Sequence, residues 1–391
     1  MNITILNNDI QEFINQHLNE EPAKLILKGS SFQGVSTIEI VEQIISKKKC
    51  KTKLPTWFNT EKIYYPNKLN IEQTSSEITA KYKANLLTGG TIIDLTGGFG
   101  VDCFAFSEKF KEVTHCEINT ELSKIAEHNY KLLGVQNINT IAQNGYEYLR
   151  KNKKKYDWVY ADPSRRSDIK GKVFLLEDCL PDIPSNLDFI FEYTDNILLK
   201  LSPVLDITSA INELEFVKEI HVIAVNNEVK ELLLILEKGY HNNINISALD
   251  IKNSNQMIFT SEFPDTLNVT YSEPKSYLYE PNAAILKAGL FNEVSHQLKL
   301  DKLHFNSHLY TSEDLLEFPG RKFKIIHNIP YNIKMIKKLI PSKKTNITTR
   351  NFPETVSQIR KRTKLKEGGN IYSFFTTDIN NKHIVLICEK V

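Results

Sequence analysis

The run Thr91-Ile92-Ile93-Asp94-Leu95-Thr96-Gly97-Gly98-Phe99-Gly100 most constrains what this chain can fold into. Ile92 and Ile93 suit a strand buried on both faces, as in a parallel sheet covered by helices. The glycines that follow allow a tight strand-to-helix turn and let the backbone approach a ligand without a clashing Cβ. Turns of this kind serve several nucleotide cofactors, so the surrounding residues decide the ligand. Twenty-three residues after Asp94, Glu117 closes a second apolar stretch, Val113-Thr114-His115-Cys116. An acid about 20 residues beyond such a turn is placed to hydrogen-bond a ribose diol. Asp94, standing before the glycines, suits the α-amino end of an amino-acid ligand. A third run, Tyr156-Asp157-Trp158-Val159-Tyr160-Ala161, is a strand that delivers Asp162-Pro163-Ser164-Arg165-Arg166 at its carboxyl end.

The order of elements gives the fold class. Short apolar strands at Ile92 to Leu95, Val113 to Glu117, Ile138 to Ala142, Trp158 to Asp162 and Ile197 to Leu201 alternate with helical patterns, which predicts a doubly wound α/β domain with a parallel sheet. The next two strands, Glu219 to Val225 and Val229 to Leu236, are separated only by Asn226-Asn227-Glu228. That link is too short for a helical crossover and forces an antiparallel last strand.

With these residues the chain resembles the class I S-adenosylmethionine-dependent methyltransferases, over roughly residues 73 to 238. Asp94-x-x-x-Gly98-x-Gly100 matches their motif I, Glu117 the acid of strand two, and Asp162-Pro163 the start of motif IV. The antiparallel last strand separates such Rossmann-like, seven-stranded sheets from nicotinamide-binding ones. Asp94 to Asp102 is also similar to the opening of bacterial rRNA guanine-N2 methyltransferases. The whole chain resembles a Bacteroidetes-type group of RNA methyltransferases with a THUMP-like C-terminal domain, carried there by Thr349-Arg350-Asn351-Phe352-Pro353 and by Lys361 to Gly369. The resemblance implies S-adenosyl-L-methionine as cofactor, held by Asp94, Thr96, Gly98, Gly100, Glu117 and Asn144. It implies methylation of an rRNA or tRNA base, such as an exocyclic amine like guanine N2, with Asp162, Pro163 and Arg165 at the reacting base. The chain departs from the family pattern at Ser164 and Arg165, where those relatives carry proline or a small residue and then an aromatic. Arginine at 165 and 166 suits base stacking or a bidentate grip on phosphate. The departure leaves two alternatives in view: methylation of DNA, protein or a small molecule, and a non-catalytic RNA-binding protein that keeps the fold.

Four domains are expected: a helical N-terminal cap over 1–72, the cofactor-binding domain over 73–240, a small α+β ferredoxin-like unit over 275–319, and a basic THUMP-like domain over 320–391. In the cap, Ile10, Phe13, Ile14, His17 and Leu18 recur at helical spacing, and Ile38 to Ile45 continue the pattern. Lys47 to Lys53 then precede Trp57, Phe58, Tyr64 and Tyr65, an interleaving that serves either base stacking or anchoring of the cap. Residues 321 to 366 hold fourteen Lys or Arg against the single acid Glu354, enough to follow a nucleic-acid backbone by releasing counterions. Arg166, Arg350, Arg360, Lys361, Arg362 and Lys364 are the residues expected to touch RNA. Asp102 is expected to act structurally, as a helix cap or paired with a base.

Five cysteines and ten histidines are scattered without ligand spacing, so no metal and no disulfide framework is expected, only buried thiols. The N-terminus lacks a basic start followed by an apolar core, and no stretch approaches the ~20 apolar residues that cross a bilayer, so the expectation is a cytoplasmic protein with no membrane partner.

Overall fold

The computed structural model describes residues 1–165, 175–252, 255–263 and 267–391. It divides into two compact units, Met1–Val217 with Leu234–Tyr240, and Lys218–Leu233 with His241–Val391.

The first unit opens with five helices, α1 (Asn8–Gln16), α2 (Pro22–Lys28), α3 (Thr37–Lys53), α4 (Pro55–Asn59) and α5 (Lys68–Gln73). Their starts follow from local chemistry. Ser36 and Glu39 form a capping box on α3, and Pro22 and Pro55 sit where a helix can spare an N–H. Ile10 and Ile14 of α1 and Ile40, Val41 and Ile44 of α3 are buried together at the expected spacing. Of the cap's aromatics, Trp57 and Tyr65 are anchors: both are buried, and the Tyr65 hydroxyl donates to the Trp57 carbonyl at 2.9 Å.

After α6 (Glu77–Leu86), the chain runs through β1 (Thr91–Asp94), α7 (Val101–Ser107), β2 (Glu112–Cys116), α8 (Thr120–Leu132), β3 (Ile138–Ile141), α9 (Gly145–Asn152) and β4 (Trp158–Ala161). A two-residue pair, β5 (Ser164–Arg165) and β6 (Cys179–Leu180), precedes α10 (Leu187–Ile190), β7 (Asn196–Leu201) and α11 (Ile207–Glu213). The hairpin β8 (Val217–Val225) and β9 (Glu228–Glu237) follows, then β10 (Ile244–Lys252) and β11 (Asn255–Phe263). The sheet order is β11-β10-β8-β9-β7-β4-β1-β2-β3. Parallel pairing sets Ile92 of β1 opposite Val113 of β2 and Trp158 of β4. Ile92, Ile93, Val113, Val159, Ile197, Leu198 and Leu199 are fully buried, as strands covered on both faces require.

The link between β8 and β9 is a two-residue turn. Asn226 and Asn227 both take left-handed φ, 53° and 64°, the geometry that matches strand twist in a tight hairpin. The sheet then extends past the seven strands expected from sequence: β10 pairs parallel with β8, and β11 antiparallel with β10. Asp250 on β10 accepts the Asn227 N–H at 2.8 Å, which ties the added strand to the turn.

The second unit, in which β10, β11 and most of the β8–β9 hairpin also fall, carries a further sheet built from β12 to β18. Its elements are β12 (Tyr277–Pro281), α12 (Ala283–Ala288), α13 (Phe291–Leu298), β13 (Asp301–Lys302), β14 (Tyr310–Ser312), β15 (Gly320–Pro330), α14 (Ile333–Leu339), β16 (Asn346–Arg350), α15 (Val356–Thr363), β17 (Ile371–Thr377) and β18 (His383–Lys390). The strand order is β13-β14-β12-β15-β18-β17-β16, so the segments on either side of residue 320 share one sheet. Strand alternation splits its core between two faces. Leu278, Phe323, Phe374 and Leu386 pack on one face with Leu303 and Leu309. Ile329, Phe375, Val385 and Ile387 pack on the other, under Ile336 of α14 and Ile359 of α15.

All five cysteines are buried free thiols. Among the described residues, no helix is long and apolar enough to cross a membrane, and no three His, Cys, Asp or Glu side chains cluster as metal ligands would.

Candidate active site

β1 ends at Asp94, and the turn after it is tied back to that carboxylate. One oxygen accepts from the Thr96 N–H at 2.8 Å and from its hydroxyl at 3.0 Å; the other faces the Cys103 thiol at 3.3 Å. Asp94 is buried. Burial, with the neighbouring Asp102 charge, outweighs the hydrogen bonds and pushes its carboxyl up to about 7.

The glycines then take the chain over β2. The Gly97 N–H donates to the Cys116 carbonyl at 2.8 Å, and the Gly98 N–H to a Glu117 oxygen at 2.8 Å. The other Glu117 oxygen accepts from the Asn119 N–H at 2.7 Å. Gly98 and Gly100 take φ of 57° and 87°, which side-chain-bearing residues rarely adopt. A Cβ on Gly97 would lie 2.2 Å from His115 Nε2, and one on Gly100 would lie 2.0 Å from the Tyr130 hydroxyl. At Gly98 the same atom would meet nothing closer than the Thr96 carbonyl at 3.6 Å, so the turn opens there. His115 is buried beneath the turn, and burial, opposed by the backbone of Gly97 and Gly98, lowers its pKa to about 4, so it is a neutral support.

Asn144 caps α9, its side chain accepting from the N–H groups of Tyr146 at 2.9 Å and Glu147 at 3.3 Å. The adjoining Gly145 lies against Leu95, where a Cβ would be 2.8 Å from Leu95 Cα. The end of β3 is thereby brought beside the glycine turn.

Asp162 reaches the same place from β4. Its N–H donates to the Thr96 hydroxyl at 2.8 Å, so this one hydroxyl links the Asp162 backbone to the Asp94 carboxylate. The Asp162 side chain is ion-paired with Lys200 of β7. Lys200 extends the parallel register in which Ala161 faces Leu199. Pro163 is buried behind the acid. Arg165 lies in β5, opposite Cys179, and Arg166 falls outside the described residues.

Sequence reasoning missed Lys200. Its signal was a charge interrupting the apolar strand Ile197-Leu198-Leu199-Lys200-Leu201. Asp102 takes the structural role expected of it: it pairs with the fully buried Lys83 at 3.1 Å and accepts from Ser75 at 2.8 Å and Tyr160 at 2.9 Å. Burial would raise its carboxyl, but Lys83 and then Lys200 hold it below the usual value. Lys83, Asp102, Lys200 and Asp162 therefore form a row of alternating charge from α6 to the end of β4.

In the second unit, Arg360, Lys361, Arg362 and Lys364 are brought together by α15 and its C-cap. Arg360 pairs with Glu367 at 3.3 Å, Arg362 is ion-paired with Glu354, and Lys361 and Lys364 are exposed. Arg350 stands apart on β16, 2.9 Å from the buried carboxylate of Glu280.

This sheet order carries an acid at the tip of β1, a second at β2 and a third at β4, and its likeness to known proteins makes the chain a methyltransferase. Residues 89–242 match a family model described as RNA cap guanine-N2 methyltransferase, 277–319 one described as a ferredoxin-like domain, and 320–390 one described as THUMP domain-like. A crystal structure from Porphyromonas gingivalis W83, named a putative methyltransferase, is 32% identical, with a TM-score of 0.89 over 99% of this chain and 98% of that one. The chain belongs to the family of that protein, methyltransferases with a THUMP-like C-terminal domain. An uncharacterized RNA methyltransferase of Mycoplasma mobile is 35% identical over 75 residues, 19% of this chain; the chain spans about a fifth of that relative's length, 21%.

Proposed function

We propose that the enzyme transfers a methyl group from S-adenosylmethionine to a base in RNA, with an exocyclic amine such as guanine N2 as the accepting group. The observation that supports this reading is the Thr96 hydroxyl shared between Asp94 and Asp162, because it ties an acid suited to the amino-acid end of a cofactor to an acid suited to an amine. The similarity of 89–242 to an RNA guanine-N2 methyltransferase model and the THUMP-like segment support RNA as the substrate class.

The residues present fit the cofactor. The turn is open at Gly98, its glycines are fixed by the contacts behind it, and acids stand at both ends of the ligand's path. Asp94 holds the amino-acid end together with Thr96, Gly98 and Gly100 line the turn, Glu117 takes the ribose hydroxyls, and Asn144 faces the adenine. S-adenosylmethionine, when bound, supplies a methyl group on a positively charged sulfur.

The protein's own work is alignment and exclusion of water, which together yield as much as ~7–11 kcal/mol for well-oriented reactants. Asp162 accepts hydrogen bonds from the target amine and fixes its direction, Lys200 holds that carboxylate in place, and Pro163 and Arg165 flank the base. A base reaching this site must leave its stack. Arg166, Arg350, Arg360, Lys361, Arg362 and Lys364 hold the RNA backbone. In this reading 1–72 is the cap, 73–240 the catalytic domain, and 275–319 with 320–391 the RNA-holding part.

The test is transfer of labelled methyl from S-adenosylmethionine to total RNA from a strain lacking this protein, with DNA and protein fractions in parallel. Label in RNA supports the reading; label only in another fraction, or in none, sinks it.

Asp94 adds a pH signature. Its folded pKa of about 7 lies above the ordinary 3.8, so the stability it contributes is complete below about pH 4 and is lost as pH rises through 7. Asp94→Asn is therefore expected to raise the melting temperature at pH 8 by several degrees while weakening cofactor binding at least tenfold. In the wild type, cofactor affinity should fall from pH 8 to pH 6, as the protonated acid loses its attraction for an ammonium group. Scanning calorimetry and cofactor titration at the two pH values check both signs.

A further inference from the structure

The second sheet brings two arginines onto one buried acid: Arg321 stands directly opposite Glu280 on the neighbouring strand β15, and Arg350 comes from β16 at the far edge. Glu280 of β12 has a side chain only 4% exposed. One of its oxygens accepts from Arg321 Nε at 2.6 Å, and the other from Arg350 Nη2 at 2.9 Å. The two arginine side chains remain 38% and 34% exposed while the acid between them is sealed. Arg321 is further fixed by Thr348 at 3.5 Å and by the Phe323 ring, whose centroid lies 5.5 Å away.

Two cations against one carboxylate leave this group one positive charge in excess. Around it lie buried polar atoms that have no hydrogen-bond partner among the described residues: Arg350 Nε, Thr376 Oγ1 on the residue facing Arg350 in β17, and Nδ1 of His308. Burial first, then the Lys302 and Arg350 charges, lower the His308 pKa to about 4. Here two part-exposed guanidinium groups are oriented by the same acid and together carry one positive charge in excess, and the charge-assisted hydrogen bonds of arginine suit phosphate.

We infer that Glu280 orients Arg321 and Arg350 as a clamp for adjacent phosphates of the RNA backbone. The inference rests on the RNA reading above and extends it: Arg321 and Arg350 are phosphate contacts, and Glu280 is a positioning residue that touches no RNA.

The experiment measures binding of a labelled single-stranded RNA oligomer to the full chain between about 50 and 200 mM salt. Removing both arginines alone would strand a buried charge and threaten the fold, so they are changed in a neutral background. Glu280→Gln keeps both cations, and the triple variant Glu280→Gln, Arg321→Gln, Arg350→Gln keeps the shape without the charge. Glu280→Gln is expected to weaken binding severalfold with the salt slope retained, since the forks lose their orienter and the cations stay. The triple variant is expected to bind at least tenfold more weakly than Glu280→Gln, with a slope shallower by about 1.4, two phosphate contacts at ~0.7 each. Equal slopes in these two proteins, whatever their melting temperatures, would make the triad purely structural and overturn the clamp while leaving the RNA reading intact. Wild-type protein that binds no RNA at any salt would overturn both. If the triple variant does not fold, Arg321→Lys with Arg350→Lys decides: retained slope with weaker binding supports the clamp, and unchanged affinity refutes it.

Discussion

Replacing Asp162 by alanine is expected to lower methyl transfer about 10²–10⁴-fold, the range lost when a positioned acid–base group is removed. Cofactor and RNA affinity should change little. The reason is local: the Asp162 backbone is held by Thr96 and its side chain by Lys200, so truncation removes the carboxylate without moving the strand end. Asp162→Asn separates charge from shape. The amide can still accept from Lys200 and from an amine, so a loss nearly as deep as that of alanine would assign the effect to the charge, and a mild loss to direction. Lys200→Met is expected to reduce kcat about tenfold with KM nearly unchanged, because the ammonium orients the acid and does not touch RNA. Steady-state rates over a series of RNA concentrations read all three. Transfer by Asp162→Ala within tenfold of wild type would remove Asp162 from the site.

What was legible in the sequence was what neighbouring residues decide. Asp94 to Gly100 is a single turn whose residue types are fixed by burial, by positive φ and by the atoms behind each glycine. The strands around it announce themselves by short apolar runs, and the two asparagines at 226 and 227 fix the reversal that distinguishes this sheet. Pairings across the fold were not legible. Lys200 and Asp162 lie 38 positions apart and Glu280 and Arg350 70, and only the folded strand order brings them together. Charge density was informative about region and silent about role: within one basic segment, Arg362 is paired with Glu354 while Lys361 is exposed. β10 was hidden for a different reason. The asparagines after Tyr240 mask the alternation of Ile244, Ile246 and Ala248, so a strand of the main sheet reads as polar linker. His115, one of ten dispersed histidines, gave no hint that it supports the glycine turn, since that contact comes from the parallel register of β1 and β2.

That support yields the second large effect. Gly97→Ala is expected to abolish measurable cofactor binding and to lower stability by about 1–3 kcal/mol, the usual cost of overpacking. Its Cβ would be driven to 2.2 Å from His115 Nε2, and the ring cannot retreat, being buried against Tyr130 at a centroid distance of 5.7 Å. Gly97 is absent from the residues of positive φ, so the penalty is steric and belongs to the pair. His115→Ala alone should cost stability through the cavity it leaves, yet combined with Gly97→Ala it should restore much of the lost affinity: the two changes are coupled, with an interaction energy of roughly 1–3 kcal/mol. Gly100→Ala provides the contrast. Its Cβ would meet the Tyr130 hydroxyl at 2.0 Å, and its φ of 87° is hostile to any side chain. Tyr130→Phe should therefore rescue Gly100→Ala poorly, because removing the hydroxyl leaves the strain of about 1–2 kcal/mol at the residue itself. Calorimetric titration of S-adenosylmethionine into the singles and doubles measures these couplings. Equal rescue at both glycines, or at neither, would mean that the contacts behind the turn do not shape it.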